Sequence, residues 1–387
     1  VRAGCRTPAA SASTAPTCGC GGTHRYMLRV WHRCSLSLAA HLPWRSSKRP
    51  GSPYPRRPFL CFVARMQETD ETPIMEVRCQ NPGSTKLVAR AVEALGVKVI
   101  GSGTVSSLER PNYFDAEAFL GKLQTQSLGR QLLLAHSVGS TQTFLEKFHD
   151  KLPLGTVLVA ETQTGGRGRG GNKWQNPPGC LLFSFTSRFV EARTLPFVQY
   201  LATMAVVQAA KQLTTEDLEA NIKWPNDLYG NNKKLGGVLC NSFWVMETRS
   251  FTAVTGIGIN VSNREPTTCI HELQERASGE GVFNYISKEE LLAQVLLWYE
   301  RFEDKFLSSG FTELQGLYLK SWLHTNQKVT LEEEGPDGSC EITLVIKGLT
   351  SSGFLLAEDE GGGSYELHPD GNSLDFFKGL VRKKLYK

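Results

Sequence analysis

The stretch from Glu161 to Trp174 reads ETQTGGRGRGGNKW. Five of the seven positions 165–171 are glycine, with Arg167 and Arg169 set between them and Lys173 just beyond. Glycine at this density lets the backbone approach a ligand closely and take up positive φ. Guanidinium groups meet phosphate and carboxylate through paired N–H donors. The loop therefore suits gripping a polyanion while a carboxylate is brought to it. No Gly-Lys-Ser/Thr follows, so it is not a Walker loop, and the glycines are too dense for a dinucleotide fingerprint. An RGG-type RNA-binding tract is the competing reading. A single copy lying between two strand-like runs argues against it. Trp174 reads either as a base-stacking platform or as a core side chain.

A second segment, IKWPNDLYG, follows at residues 222–230. Pro225 with Asn226 and Asp227 is a turn signal. Turn chemistry alone does not explain why a strand ending in Lys223-Trp224 would deliver Asp227 beside a ligand loop. Six residues on, Lys233 and Lys234 precede Gly236 and Gly237 at the head of another strand. A lysine there can reach a phosphate or carboxylate as a point charge, or can simply be a solvated hairpin residue.

Around these motifs, periodicity predicts strands at 131–135, 156–161, 180–185, 237–244 and 251–261, and helices at 141–149 and 195–211. Ser287 with Glu290 forms a capping box that opens a long amphipathic helix ending near Leu307, and a further helix covers 312–322. Short strands at 328–334, 341–347, 353–358 and 365–368, separated by Gly and Pro turns, predict a small all-β module. Upstream, 86–95 reads as a short helix and 97–100 as a strand, with no convincing helix-turn-helix. The expectation is an α+β body of mixed sheet and helices followed by a small β-barrel. Its domains would be a basic, disordered segment at 1–65, an extension at 66–128, a catalytic domain at 129–322 and a C-terminal domain at 323–387.

The net charge of +5 is unevenly placed. Residues 1–67 hold eleven Lys and Arg and no Asp or Glu, which leaves 32 basic against 38 acidic residues in the remainder. An acidic body lacks the basic footprint of a general nucleic-acid binder. The ten cysteines form no metal-type pairing or disulfide framework and suit a reducing compartment. No apolar run is long enough for a membrane span. The run from Met27, rich in Arg, Ser and Leu and free of acids, reads either as a mitochondrial transit peptide or as a plain tail. Met66 offers a second start for a cytoplasmic form.

The Gly-Arg loop, KWPND, KKLGG and GIGIN (Gly256 to Asn260), in that order, resemble the biotin protein ligase family from Gly129 to the C-terminus. The resemblance implies a catalytic domain like that of class II aminoacyl-tRNA synthetases and an SH3-like C-terminal domain. It implies activation of biotin by ATP with Mg²⁺, then transfer of biotin to a lysine on the carrier domain of a biotin-dependent carboxylase, with neither nucleic acid nor membrane as partner. Ser140, Thr141, Gln163, Gly166, Arg167, Lys234 and Gly237 would contact biotin. Arg169, Lys173, Trp174, Asn226 and Asn260 would serve the nucleotide. Arg167, Arg169, Lys234 and Asp227 would carry the chemistry, Asp227 facing the incoming lysine. Gly170, Thr164 and Gly165 depart from common members, while both loop arginines are kept. Lipoate ligases and octanoyl transferases share the fold type, but the KWPND and GRGRGG pair argues against them.

Overall fold

A computed structural model of the chain describes residues 62–69, 72–79, 93–94, 98–100, 113–279, 284–335, 338–368, 372–375 and 380–383. All of them belong to one unit, residues 48–387. In chain order the elements are β1 (Phe62–Thr69), β2 (Thr72–Cys79), β3 (Lys98–Ile100), α1 (Ala116–Lys122), β4 (Gln131–Val138), α2 (Thr141–Phe148), β5 (Thr156–Gln163), β6 (Cys180–Phe189) and α3 (Val198–Leu213). There follow β7 (Asn221–Lys223), β8 (Asp227–Gly230), β9 (Lys233–Val245), β10 (Ser250–Asn260), α4 (Ile270–Ser278), α5 (Lys288–Ser309) and α6 (Thr312–Ser321). The tail holds β11 (Lys328–Gly335), β12 (Gly338–Leu349), β13 (Leu355–Asp359), β14 (Ser364–Leu367), β15 (Asn372–Asp375) and β16 (Leu380–Lys383).

Ten strands form one mixed sheet in the order β3-β2-β1-β4-β5-β6-β10-β9-β8-β7. β4 pairs in parallel with both β1 and β5, whereas β5 to β7 are joined antiparallel. The parallel centre explains the runs Leu132 to Ala135 and Val157 to Ala160, whose side chains are buried on both faces. Helices α3 and α5 pack together over the sheet. Most of α3 is apolar and buried, and α5 presents Leu292, Val295, Leu296, Tyr299, Phe302 and Phe306 to the core at helical spacing. Each such side chain, fully buried, contributes about 1.5–3 kcal/mol.

Ser287 caps α5 as predicted, its Oγ accepting from Glu290 N at 3.1 Å, while the Glu290 carboxylate accepts from Lys122 Nζ at 3.1 Å. The helix expected at 195–211 starts later, because residues 192–197, including Pro196, form a 3₁₀ turn first. Helix α4 was not anticipated from sequence. Its N-cap is Cys269, whose Sγ accepts from Glu272 N at 3.5 Å, and a thiol is no recognised start signal.

Residues on either side of position 129 pack against one another. β1 pairs with β4, and Phe114 and Phe119 lie in the common core. Glu300 of α5 accepts from the backbone N–H groups of Gln126, Ser127 and Leu128 at 2.6, 2.7 and 3.3 Å. The predicted strand at 97–100 is β3, while the helix at 86–95 lies outside the described residues apart from Glu93 and Ala94, as does most of the segment 1–65. The tail forms a six-stranded sheet, β14-β13-β12-β11-β16-β15, antiparallel except for β11 with β16. It joins the body at Ile222, which bridges to Trp322 and accepts from Leu323 N at 3.0 Å.

Candidate active site

Two adjoining cavities of about 440 and 730 Å³ open beside the Gly-Arg loop and share Arg167, Arg169, Lys173, Trp174 and Asn226 in their walls. Their size suits a nucleotide and a small acid.

The floor comes from the start of α2. Ser140 is its N-cap, accepting from Thr143 N at 3.4 Å. Thr141 N donates to Gln163 Oε1 at 2.8 Å, and the Thr141 and Ser184 hydroxyls lie 2.8 Å apart. Ser140, Thr141 and Ser184 are all buried. These compact polar groups at the base of a closed strand–helix junction can meet a polar ring head through donors and acceptors.

The glycine loop is a hairpin rather than a loose coil. Trp174 N donates to Gly166 O at 3.0 Å and Gly168 N to Asn172 O at 2.7 Å. A Cβ on Gly166 would sit 2.6 Å from Trp174 O, so only glycine lets the two arms close. Gly170 and Gly171 take φ of 67° and 81°, the left-handed region where other residues are strained. The Trp174 indole then lies on β9 and β10. A Cβ on Gly258 would come within 2.6 Å of it, and one on Gly237 within 3.4 Å.

Lys234 Nζ donates to Asp227 Oδ1 at 2.6 Å and stands 5.7 Å from the Trp174 ring centroid. The pair faces the cavity from β9 and β8, next to the turn after β7. That turn is held from behind. Its Trp224–Pro225 peptide is cis. Trp224 N donates to His324 Nε2 at 2.9 Å, and Trp224 Nε1 to the Tyr200 hydroxyl at 2.8 Å. Tyr200 in turn donates to Gly353 O of the tail module at 2.5 Å. Burial raises the Tyr200 hydroxyl well above its usual range, so it stays protonated and can donate.

Of the residues singled out from sequence, Ser140, Thr141, Gln163, Arg167, Arg169, Lys173, Trp174, Asn226, Asp227, Lys234 and Gly237 line the first cavity. Gly166 lines the second. Asn260 lies behind the wall: its Nδ2 donates to Thr267 Oγ1 at 2.8 Å and to Lys234 O at 3.3 Å. The Asn226 side chain is engaged by β9, donating to Val238 O at 2.5 Å. Sequence reasoning passed over Gln142 and Ser184, which also line the cavity, and gave no ligand role to Lys223 of the KWPND segment, which lines it too. Ser184 carries a faint signal, a hydroxyl within the apolar run of β6. Among the described residues, no group of three or more His, Cys, Asp or Glu converges; Mg²⁺ needs no such cage, since one or two carboxylates and substrate phosphates hold it.

Residues 134–260 match the Biotin/lipoate A/B protein ligase family. The chain is 40% identical over 278 residues to biotin protein ligase 1 (chloroplastic) of Arabidopsis thaliana, an alignment covering 71% of this chain and 75% of that one. It is 36% identical over 283 residues to the human biotin protein ligase, covering 70% of this chain and 38% of the human protein. Among solved structures, the biotin protein ligase of Aquifex aeolicus in complex with biotin and ATP shows 30% identity and a TM-score of 0.49, covering 61% of this chain and 94% of that one. The chain belongs to the biotin protein ligase family.

Proposed function

We infer that this chain activates biotin with ATP, giving biotinyl-5′-AMP and pyrophosphate, and then transfers biotin to a lysine on the carrier domain of a biotin-dependent carboxylase. The observation that carries this reading is the Lys234–Asp227 pair, 2.6 Å apart, opposite the glycine-arginine hairpin. In this reading the lysine offsets the meeting of two anions and the carboxylate takes the proton of the incoming amine.

Joining a carboxylate to a triphosphate brings like charges together. Two unit charges 4 Å apart repel by about 4 kcal/mol at an effective dielectric of 20. Arg167 and Lys234 offset that repulsion at the biotin carboxylate and the α-phosphate, and hold the groups in line. Arg169 and Lys173 serve the remaining phosphates, and Trp174 offers its ring to the adenine. Mg²⁺ brought with ATP would add further charge neutralisation at the phosphates. Ser140, Thr141 and Gln163 meet the ureido ring. In the second step the lysine amine attacks the acyl carbon and AMP departs. A free lysine has a pKa of about 10.4, and Asp227 orients the amine and accepts its proton. The labile anhydride needs shelter from water, which closure of the hairpin supplies.

The C-terminal sheet serves as the SH3-like module of this enzyme, residues 129–322 as its catalytic domain, and the basic N-terminal segment as a mitochondrial transit peptide on one of two forms, the other being cytoplasmic. Among the described residues no helix is long and apolar enough to cross a membrane.

The test is a transfer assay with the full chain, ATP, Mg²⁺, labelled biotin and a purified biotin carrier domain, run beside Lys234→Ala. Labelling of the carrier lysine that depends on ATP and falls about 100-fold in the variant is the expected result. Labelling with lipoate in preference to biotin would overturn the substrate assignment.

A further inference from the structure

Glu146 belongs to none of the motifs that mark the site. It lies in the last turn of α2, four residues after Gln142 and so on the same helix face. Its side chain is 15% exposed. Oε1 accepts from Gln142 Nε2 at 3.0 Å and from Asn241 Nδ2 at 2.5 Å. Oε2 accepts from Arg167 Nη1 at 2.9 Å, and the Thr143 hydroxyl oxygen accepts from the same nitrogen at 3.2 Å. One carboxylate thus ties together helix α2, the hairpin and strand β9. Asn241 and Arg167 both line the second cavity.

An exposed ion pair contributes little because two long side chains must be ordered to make it. Glu146 differs from that case in two ways. It is largely covered, and two amide donors already fix its carboxylate, so pairing with Arg167 orders only one new side chain. The contacts to Glu146 and Thr143 both use Nη1. A guanidinium carries five N–H donors in a planar fork, so a group held at one corner still presents donors to an anion in the cavity.

Building on the ligase reading, we propose that Glu146 is the positioning residue for Arg167: it fixes the guanidinium at the cavity wall, aimed at the ligand's carboxylate or phosphate, and so sets how long the acyl-adenylate is held. It touches no substrate itself. Neutralising it leaves Arg167 with the Thr143 hydroxyl alone. The arginine then swings over a wider range, and the hairpin holds the intermediate less tightly.

The experiment uses the full chain as wild type, E146Q, E146D, R167A and the double variant E146Q/R167A. Labelled biotin and ATP are supplied without acceptor to measure adenylate release, and with a biotin carrier domain to measure KM and kcat. E146Q keeps the size of the side chain and an acceptor for Gln142 and Asn241, so it separates loss of charge from loss of packing. The expected result is adenylate release about five- to tenfold faster in E146Q, a rise in the KM for biotin of similar size, kcat within about twofold, and partial recovery in E146D. In the R167A background E146Q has no further effect. Wild-type behaviour in E146Q overturns the proposal. So does an E146Q effect that persists undiminished in R167A, which would make Glu146 a brace for Asn241 and Gln142 only. If wild type itself forms no adenylate from biotin, the ligase reading on which the proposal stands falls with it.

Discussion

Acidification from pH 7 to pH 5 should weaken the fold through one buried imidazole. His324 is fully buried. Its Nε2 accepts from Trp224 N, and its Nδ1 lies 2.8 Å from Gln327 Oε1, which fixes the tautomer with the proton on Nδ1. Burial pushes its pKa down from 6.5 to about 4; the Gln327 contact opposes this and the Lys223 charge adds to it. The folded state therefore binds this proton less readily than the unfolded chain. Stability from this group is complete above about pH 6.5 and is lost as the pH falls toward 4. The two pKa values give a loss of about 2 kcal/mol between pH 7 and pH 5, rising to about 3 kcal/mol below pH 4. The loss has a location: a protonated Nε2 can no longer accept from Trp224, so the turn that carries Asp227 loosens. The assay is urea unfolding of wild type and His324→Gln at both pH values. Other titrating groups are common to the two proteins and cancel in the difference. The glutamine is less stable at pH 7 but lacks the imidazole's share of the acid loss, so the gap between the proteins should narrow by about 2 kcal/mol at pH 5. An unchanged gap would refute the reasoning.

Tyr200→Phe keeps the ring but strips the hydroxyl that joins Trp224 Nε1 to Gly353 O. It should destabilise by about 1–3 kcal/mol, measured as a lower urea midpoint. Gly258→Ala puts a methyl within 2.6 Å of the Trp174 indole; the ring must move, so ATP affinity should fall about tenfold with a change in tryptophan emission, and unchanged ATP binding would remove Trp174 from the nucleotide site. Arg169→Ala should release the adenylate several-fold faster, because the hairpin loses a charge that holds phosphate; retention at the wild-type rate would sink the closure argument.

Most of the body's architecture could be read from local pattern. The runs that became β4 and β5 are apolar at their centres and flanked by glycine on both sides, and the apolar run of β6 starts just after Gly179. The capping box at Ser287 marked the start of α5 because its signal lies within one helical turn. The loop's function was legible because phosphate chemistry needs glycine and arginine close together in the chain. What escaped depends on partners far apart in sequence. The pairing of β1 with β4 spans about seventy residues, and nothing local marks Phe62–Thr69 as a sheet member. Asn260, given to the nucleotide by the family resemblance, sits at the end of the GIGIN strand, where Thr267 and the Lys234 carbonyl engage its side chain. His324, next to the helix expected at 312–322, gave no hint that it would hold Trp224 a hundred residues away.

The charges show the same limit with a consequence for chemistry. Read along the chain, Arg167, Arg169, Lys173 and Lys234 make a strongly cationic site. In the fold Lys234 is paired with Asp227 and Arg167 with Glu146, and both carboxylates come from outside the glycine-arginine stretch. At least two of the four cations are therefore balanced at short range, within a body that carries a net negative charge. A distant anion feels little of them. Anion capture then rests on directed N–H donors at contact distance rather than on a long-range field. That arrangement suits an enzyme whose ligands are a small acid and a nucleotide seated in a cavity. It also explains how a body with more acids than bases can carry a loop that, by sequence alone, resembles an RNA-binding tract. The carboxylates that balance the site also orient it, since each fixes the guanidinium or ammonium group it neutralises.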